Sequence, residues 1–201
     1  MLSKLIGLLL MVGTVQVFAA AAPDFTLPGV SIAPGKQNEF TLNQYKDKVV
    51  VLEWFNKDCP YVHKLYDSKT KTMQNLQGKY VKPGGDVVWF TVISSAPGKE
   101  GFLKPAEAQK VIKDYGLQSS ALLFDIGGKV GQAYGAKTTP HMFVIDKGTL
   151  AYQGAIDDKP SADTKSLDGA HNYVDAALMS IQAKKPVKEA ATTPYGCSVK
   201  Y

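Results

Sequence analysis

The chain carries two cysteines and three histidines, so its reactive side chains are few and their spacing matters. Cys59 follows the apolar run Val49-Val50-Val51-Leu52-Glu53-Trp54-Phe55 and the polar turn Asn56-Lys57-Asp58. Pro60-Tyr61-Val62-His63 come directly after it. Proline suits the first turn of a helix, so this order places the thiol at a helix N-terminus. Unpaired N–H groups and the macrodipole favour a thiolate there. Lys57, His63 and Lys64 lie close in sequence and are expected to push the same way. The thiolate is the nucleophile, so the spacing predicts a cysteine that reacts. The second cysteine, Cys197, is the fifth residue from the end. A structural Cys59–Cys197 disulfide is the plainer alternative. A domain of this size needs no such staple, and the bridge would clamp little besides a tail.

The elements around these residues follow from the hydrophobic pattern. Residues 23–28 read as an extended leading segment, 33–35 as a turn, and 40–45 as a brief amphipathic piece. Residues 49–55 form an apolar strand, and 61–80 carry a helical face of Val62, Leu65, Tyr66, Met73 and Leu76. Lys82-Pro83-Gly84-Gly85 ends that helix, and residues 86–93 form the next buried strand. Helix 105–115, strand 121–125 and a helical turn at 130–134 come next. Strand 142–146 turns through Lys147-Gly148 into strand 150–156, an antiparallel hairpin. A last helix spans 172–183, followed by a tail without periodicity. A strand–helix–strand unit joined to a hairpin and a final helix is an α/β thioredoxin fold. A central mixed sheet would be flanked by helices, with an N-terminal extension and an irregular C-terminal tail.

The first residues look like a targeting segment. Lys4 gives a short positive region, residues 5–17 are mostly apolar, and Ala19-Ala20-Ala21-Ala22 offer small residues for cleavage. The apolar stretch is short for a membrane span. The expected organisation is a signal peptide over 1–21, one domain over 22–184, and a tail over 185–201 that carries Cys197. The product would be exported, to the periplasm, with no membrane span after cleavage. The formal charge of +5 becomes +4 without Lys4, since no acid precedes Asp24. Every basic residue is a lysine, and these are dispersed. Nucleic-acid readers rely on arginine for bidentate contacts, so a nucleic-acid partner is not expected.

Several motifs resemble a known family. Ala-Pro-Asp-Phe-Thr-Leu-Pro, the run before Cys59, Thr-Thr-Pro before a strand, and the Asp146-Lys147-Gly148 turn are similar to the redoxin (AhpC/TSA-type) group. That group joins peroxiredoxins to thioredoxin-like reductases. Cys-Pro-Tyr-Val, Gly-Ala-Lys-Thr-Thr-Pro-His-Met-Phe, Gln-Gly-Ala-Ile-Asp-Asp and the ending Tyr-Gly-Cys-Ser-Val-Lys-Tyr resemble exported peroxiredoxin-like proteins of the thioredoxin superfamily. The resemblance implies that Cys59 is the attacking cysteine, while Val62 stands where thioredoxins keep their second one. It implies that Glu53 is a buried acid for proton transfer, its pKa raised by burial. A strand glutamate reaching solvent is the equal alternative. It further implies a cis peptide at Pro140, with Thr139 aligning an incoming disulfide. Tyr61, next to Pro60, is placed to shape a substrate groove beside Cys59, with packing as the plainer alternative. Peroxiredoxins place a proline and a threonine seven and three residues before their cysteine, and use an arginine. Here Leu52 and Asn56 occupy those positions, and arginine is absent.

Three mechanisms are open. In the first, Cys59 attacks the disulfide of a protein or a small oxidised thiol, and Cys197 resolves the mixed disulfide. An extended tail from Lys185 to Cys197 spans about 40 Å at ~3.3 Å per residue, enough to cross a small domain. If it does not reach, an external thiol must resolve. In the second, the substrate is a hydroperoxide and Cys59 passes through a sulfenic acid. In the third, Cys59 and His63, at i and i+4, join His141 to bind copper or zinc. Two helical positions are a weak ligand signal, so His63 reads better as an exposed helix residue and His141 as a strand end. The thiol chemistry needs no cofactor.

Overall fold

The computed structural model describes residues 20–32 and 37–201. Most of the segment read as a signal peptide, and the turn at 33–35, lie outside the described residues.

The centre of the molecule is built from two strands that are buried on both faces. β3 (Val49–Trp54) and β4 (Val87–Ile93) have no exposed residue, as expected of unbroken apolar runs in a parallel pair. They pair in parallel, Val49 opposite Val87 through Trp54 opposite Val92. β5 (Ala121–Phe124) extends the parallel set beyond β4. The hairpin of β7 (His141–Asp146) and β8 (Thr149–Gly154) joins the other side, with β7 antiparallel to β3. The leading segment becomes β1 (Thr26–Ser31), antiparallel to both β5 and the short β2 (Glu39–Thr41). The sheet order is β2-β1-β5-β4-β3-β7-β8. The expected amphipathic piece at 40–45 is thus split between β2 and a 3-10 turn, Leu42–Tyr45.

Alternation along each strand divides the core in two. Val49, Val51, Trp89, Met142 and Val144 face one side, with Leu65, Met73, Val111 and Leu178 from the helices. Val50, Leu52, Trp54, Phe90 and Phe143 face the other, where Phe40, Leu42 and Tyr134 cover them. Period-2 alternation puts Glu53 on the first face, among the helices.

The single helix expected over 61–80 is two helices, α1 (Pro60–Tyr66) and α2 (Thr72–Tyr80). Asp67 leaves helical geometry at φ −53°, ψ 137°. Its carboxylate accepts the Lys69 and Thr70 N–H groups, an Asx-type turn that competes with the helix. Lys71 then takes a left-handed conformation at φ 49°. The remaining helices are α3 (Ala108–Tyr115), α4 (Lys129–Tyr134) and α5 (Tyr173–Gln182). Asn172 caps α5 by accepting the Asp175 N–H at 2.8 Å.

Candidate active site

β3 ends and α1 begins across a five-residue turn that presents Cys59. Asn56, 1% exposed, organises it: its Oδ1 accepts the Asp58 N–H at 2.8 Å, and its backbone carbonyl accepts the Cys59 N–H at 3.1 Å. Cys59 is the N-cap of α1, and Pro60 occupies the first turn, where its missing N–H is harmless. The Cys59 sulfur itself has no exposed surface. Against it lies the loop before β7, where the Thr139–Pro140 peptide is cis. The thiol donates to the Thr139 carbonyl at 3.0 Å.

The tail brings the second cysteine to the same place. β9 (Cys197–Ser198) pairs antiparallel with β6 (Thr138–Thr139), Cys197 opposite Thr139. The two sulfurs are 2.7 Å apart, with both thiols free. Gly196 makes this approach possible. It lies at φ 138°, and a Cβ there would stand 2.2 Å from the Thr139 carbonyl oxygen. Burial and the adjacent Cys59 push the Cys197 thiol up to about 12. The rest of the tail is tied down along its length. Thr192 bonds Tyr152, Ala155 and the β8 backbone, the Val199 N–H donates to the Lys137 carbonyl, and the Tyr201 hydroxyl donates to the Ala136 carbonyl. So a segment without periodicity is nonetheless held in one path across the site.

Glu53 lies under this turn and is fully buried. Its carboxylate accepts from the Tyr66 hydroxyl at 2.8 and 3.0 Å, from Gln77 Nε2 at 3.1 Å and from Trp89 Nε1 at 3.0 Å. Desolvation outweighs those bonds and raises its pKa from 4.5 to about 7. The solvent-reaching alternative for this strand glutamate is therefore wrong. Cys59 is not among the hydrogen-bond partners of this carboxylate.

The other predicted residues are distributed differently. Pro60 is exposed and Tyr61 half-buried at the start of α1. His63 is exposed, beside the Tyr115 ring. His141 is buried, its Nδ1 accepting the Lys137 N–H at 3.2 Å, and desolvation lowers its pKa to about 4. Among the described residues, no cluster of three His, Cys, Asp or Glu side chains could hold a metal ion. The cations expected to favour the Cys59 thiolate are committed elsewhere. Lys57 binds Asp58 at 2.7 Å, and Lys64 is buried in α1 with its ammonium on the Lys159 carbonyl at 2.9 Å. A hollow of about 690 Å³, lined by Val49, Val87 and Asp146 among others, opens at the opposite end of the sheet from Cys59.

Sequence reasoning counted Lys64 as a cation acting on Cys59 and missed Asp157 and Tyr195, which it meets beside the tail. The available signal was a lysine flanked by Val62, Leu65 and Tyr66, on a helix whose apolar face it shares.

The AhpC/TSA family matches residues 18–153, about two thirds of the chain, and the protein belongs to that family. The matched stretch ends within β8, leaving α5 and the Cys197 tail beyond it. Among solved structures, an uncharacterized conserved protein from Geobacillus kaustophilus is similar at TM-score 0.73 and 24% identity, covering 91% of each chain. A hypothetical protein from Sinorhizobium meliloti 1021 is similar at TM-score 0.69 and 24% identity, covering 91% of this chain and 93% of that one. A thioredoxin-like superfamily protein is similar at TM-score 0.56 and 19% identity, over 87% and 100%. No curated protein matches the chain significantly. The fold is thus thioredoxin-like, and membership of the AhpC/TSA family makes the protein an oxidoreductase.

Proposed function

We propose that this AhpC/TSA-family protein is an exported thiol–disulfide oxidoreductase in which Cys59 attacks and Cys197 resolves. The Cys59 thiolate attacks one sulfur of a substrate disulfide R–S–S–R′, forming Cys59–S–S–R and releasing R′S⁻. The Cys197 thiolate then attacks the Cys59 sulfur, forming Cys59–S–S–Cys197 and releasing RS⁻. Two electrons pass from the protein to the substrate, and an external dithiol returns them. The single observation that carries this reading is the 2.7 Å approach of the two sulfurs across 138 residues of chain.

The backbone edge at Thr139 already accepts a strand that presents a cysteine. An extended substrate segment pairing there, beside Pro60, Tyr61 and Pro140, would place its sulfur as Cys197 is placed. Glu53, buried beneath the turn, supplies a carboxyl whose pKa of about 7 suits it to hold or release a proton near the site at neutral pH. Export rests on the sequence of the first 22 residues. Among the described residues no helix is long and apolar enough to cross a membrane.

A hydroperoxide is the second reading, favoured by a resolving cysteine so near the C-terminus. Against it, Asn56 occupies the expected threonine position and is spent on the turn, and no arginine exists to polarise a peroxide. The test compares wild type, Cys59→Ser and Cys197→Ser in reduction of insulin disulfides and in peroxide consumption. Disulfide reduction lost in Cys59→Ser and impaired in Cys197→Ser is expected. Fast peroxide turnover with slow insulin reduction would replace this reading by the second, and activity surviving Cys59→Ser would end both.

A further inference from the structure

The tail is gripped at a point away from both sulfurs. Tyr195, two residues before Cys197, donates its hydroxyl to Asp157 Oδ1 at 2.5 Å and accepts from Lys64 Nζ at 3.1 Å. Lys64 and Asp157 are 1% and 2% exposed, with their charged groups 3.8 Å apart. The Lys64 ammonium lies 5.0 Å from the centroid of the Tyr195 ring, and the Tyr61 ring packs on it at 5.8 Å. Buried charges are costly unless hydrogen bonds complete their surroundings. Without the Tyr195 hydroxyl, Asp157 Oδ1 keeps the Lys159 N–H, and Oδ2 has no hydrogen-bond partner at all. The ion pair therefore has its own reason to hold the tail.

We propose that Tyr195 is a positioning residue: the Lys64–Asp157 pair grips its hydroxyl and thereby sets Cys197 against Cys59, and its release uncovers Cys59 for substrate. This rests on the thiol–disulfide exchange reading. While Cys197 pairs with Thr139, that edge is occupied and the Cys59 sulfur is covered. Attack on an external disulfide requires the tail to leave, and resolution of Cys59–S–S–R by the Cys197 thiolate, with release of RS⁻, requires it to return. One lock governs both steps. Weakening it must speed the first and hinder the second.

The experiment uses the full chain with Tyr195→Phe, Tyr195→Ala and Asp157→Asn. Leu42→Ala, on the opposite face of the sheet, serves as a destabilised control. The first measurement is the equilibrium of the Cys59–Cys197 disulfide against glutathione, which gives the effective molarity of Cys197. The second is the rate of Cys59 alkylation by iodoacetamide in the Cys197→Ser background. Tyr195→Phe keeps the ring and loses two charge-assisted bonds, so it should lower the first and raise the second by about ten- to a hundredfold. Tyr195→Ala should move both further, and Tyr195→Phe should add little once Asp157→Asn is present. Unchanged values in Tyr195→Phe, or equal movement in Leu42→Ala, would overturn the lock while leaving the exchange reading intact. A wild type that forms no Cys59–Cys197 disulfide would overturn the exchange reading itself.

Discussion

Replacing Glu53 with glutamine removes a charge from the inner face of β3 and keeps its shape. Desolvation holds the Glu53 proton from 4.5 up to about 7 in the folded protein. At about 1.4 kcal/mol for each tenfold change in proton affinity, that is about 3 kcal/mol. The folded state binds this proton more tightly than the unfolded chain. Its contribution is therefore full below pH 4.5, lost as pH rises through the folded value near 7, and constant above about 8. Glutamine carries no such dependence. Its carbonyl can still accept from Gln77 and Trp89, while its amide meets the Tyr66 hydroxyl and forfeits one accepted bond, a loss of about 1 kcal/mol. Glu53→Gln should thus be about 1 kcal/mol less stable than wild type at pH 4 and about 2 kcal/mol more stable at pH 8.5. Urea unfolding of both reduced proteins across that range, at constant ionic strength, checks it. A stability difference that stays constant with pH would refute the assignment of a raised pKa to Glu53.

Further outcomes follow from the geometry of the tail and its anchors. Gly196→Ala forces a Cβ into the Thr139 carbonyl, so β9 should leave β6 and Cys59 alkylation should rise at least tenfold in a Cys197→Ser background. Lys64→Met leaves Asp157 buried without its cation and should cost about 3–5 kcal/mol in thermal or urea unfolding. Adding Asp157→Leu should recover most of that loss. With the Cys197 thiol pushed up to about 12, its labelling in the reduced wild type should rise close to tenfold per pH unit from pH 7 to 10. Peptide mass spectrometry reads it, and Cys59→Ser should bring an earlier plateau by removing the neighbouring sulfur.

The parts legible in the sequence were those that leave a pattern. β3, β4 and β7 are mostly apolar on both faces, and their runs announce a buried sheet with Cys59 just beyond the end of one of its inner strands. The break between α1 and α2 was hidden because it depends on the Asp67 carboxylate capturing backbone N–H groups, which no periodicity records. Alternation along β3 assigns Glu53 a face but says nothing of how deep that face is, and only the covering helices decide its burial. Lys64 reads as a cation near a thiol when neighbours in sequence are counted. In space its ammonium turns to Asp157, Lys159 and Tyr195. The reach of Cys197 follows from chain length, but its destination does not. The tail is guided by side-chain bonds of Thr192, Tyr195 and Tyr201 to distant partners, an arrangement with no repeat to detect.

The most direct test of the account is to catch the intermediate. Reduced wild type and Cys197→Ser are mixed with glutathione disulfide, quenched in acid at intervals, and weighed intact and as peptides. The account predicts a glutathione adduct on Cys59 that accumulates in Cys197→Ser. In wild type the same adduct should be replaced by a Cys59–Cys197 disulfide. An adduct carried by Cys197, or one on Cys59 that persists equally long in both proteins, would contradict it.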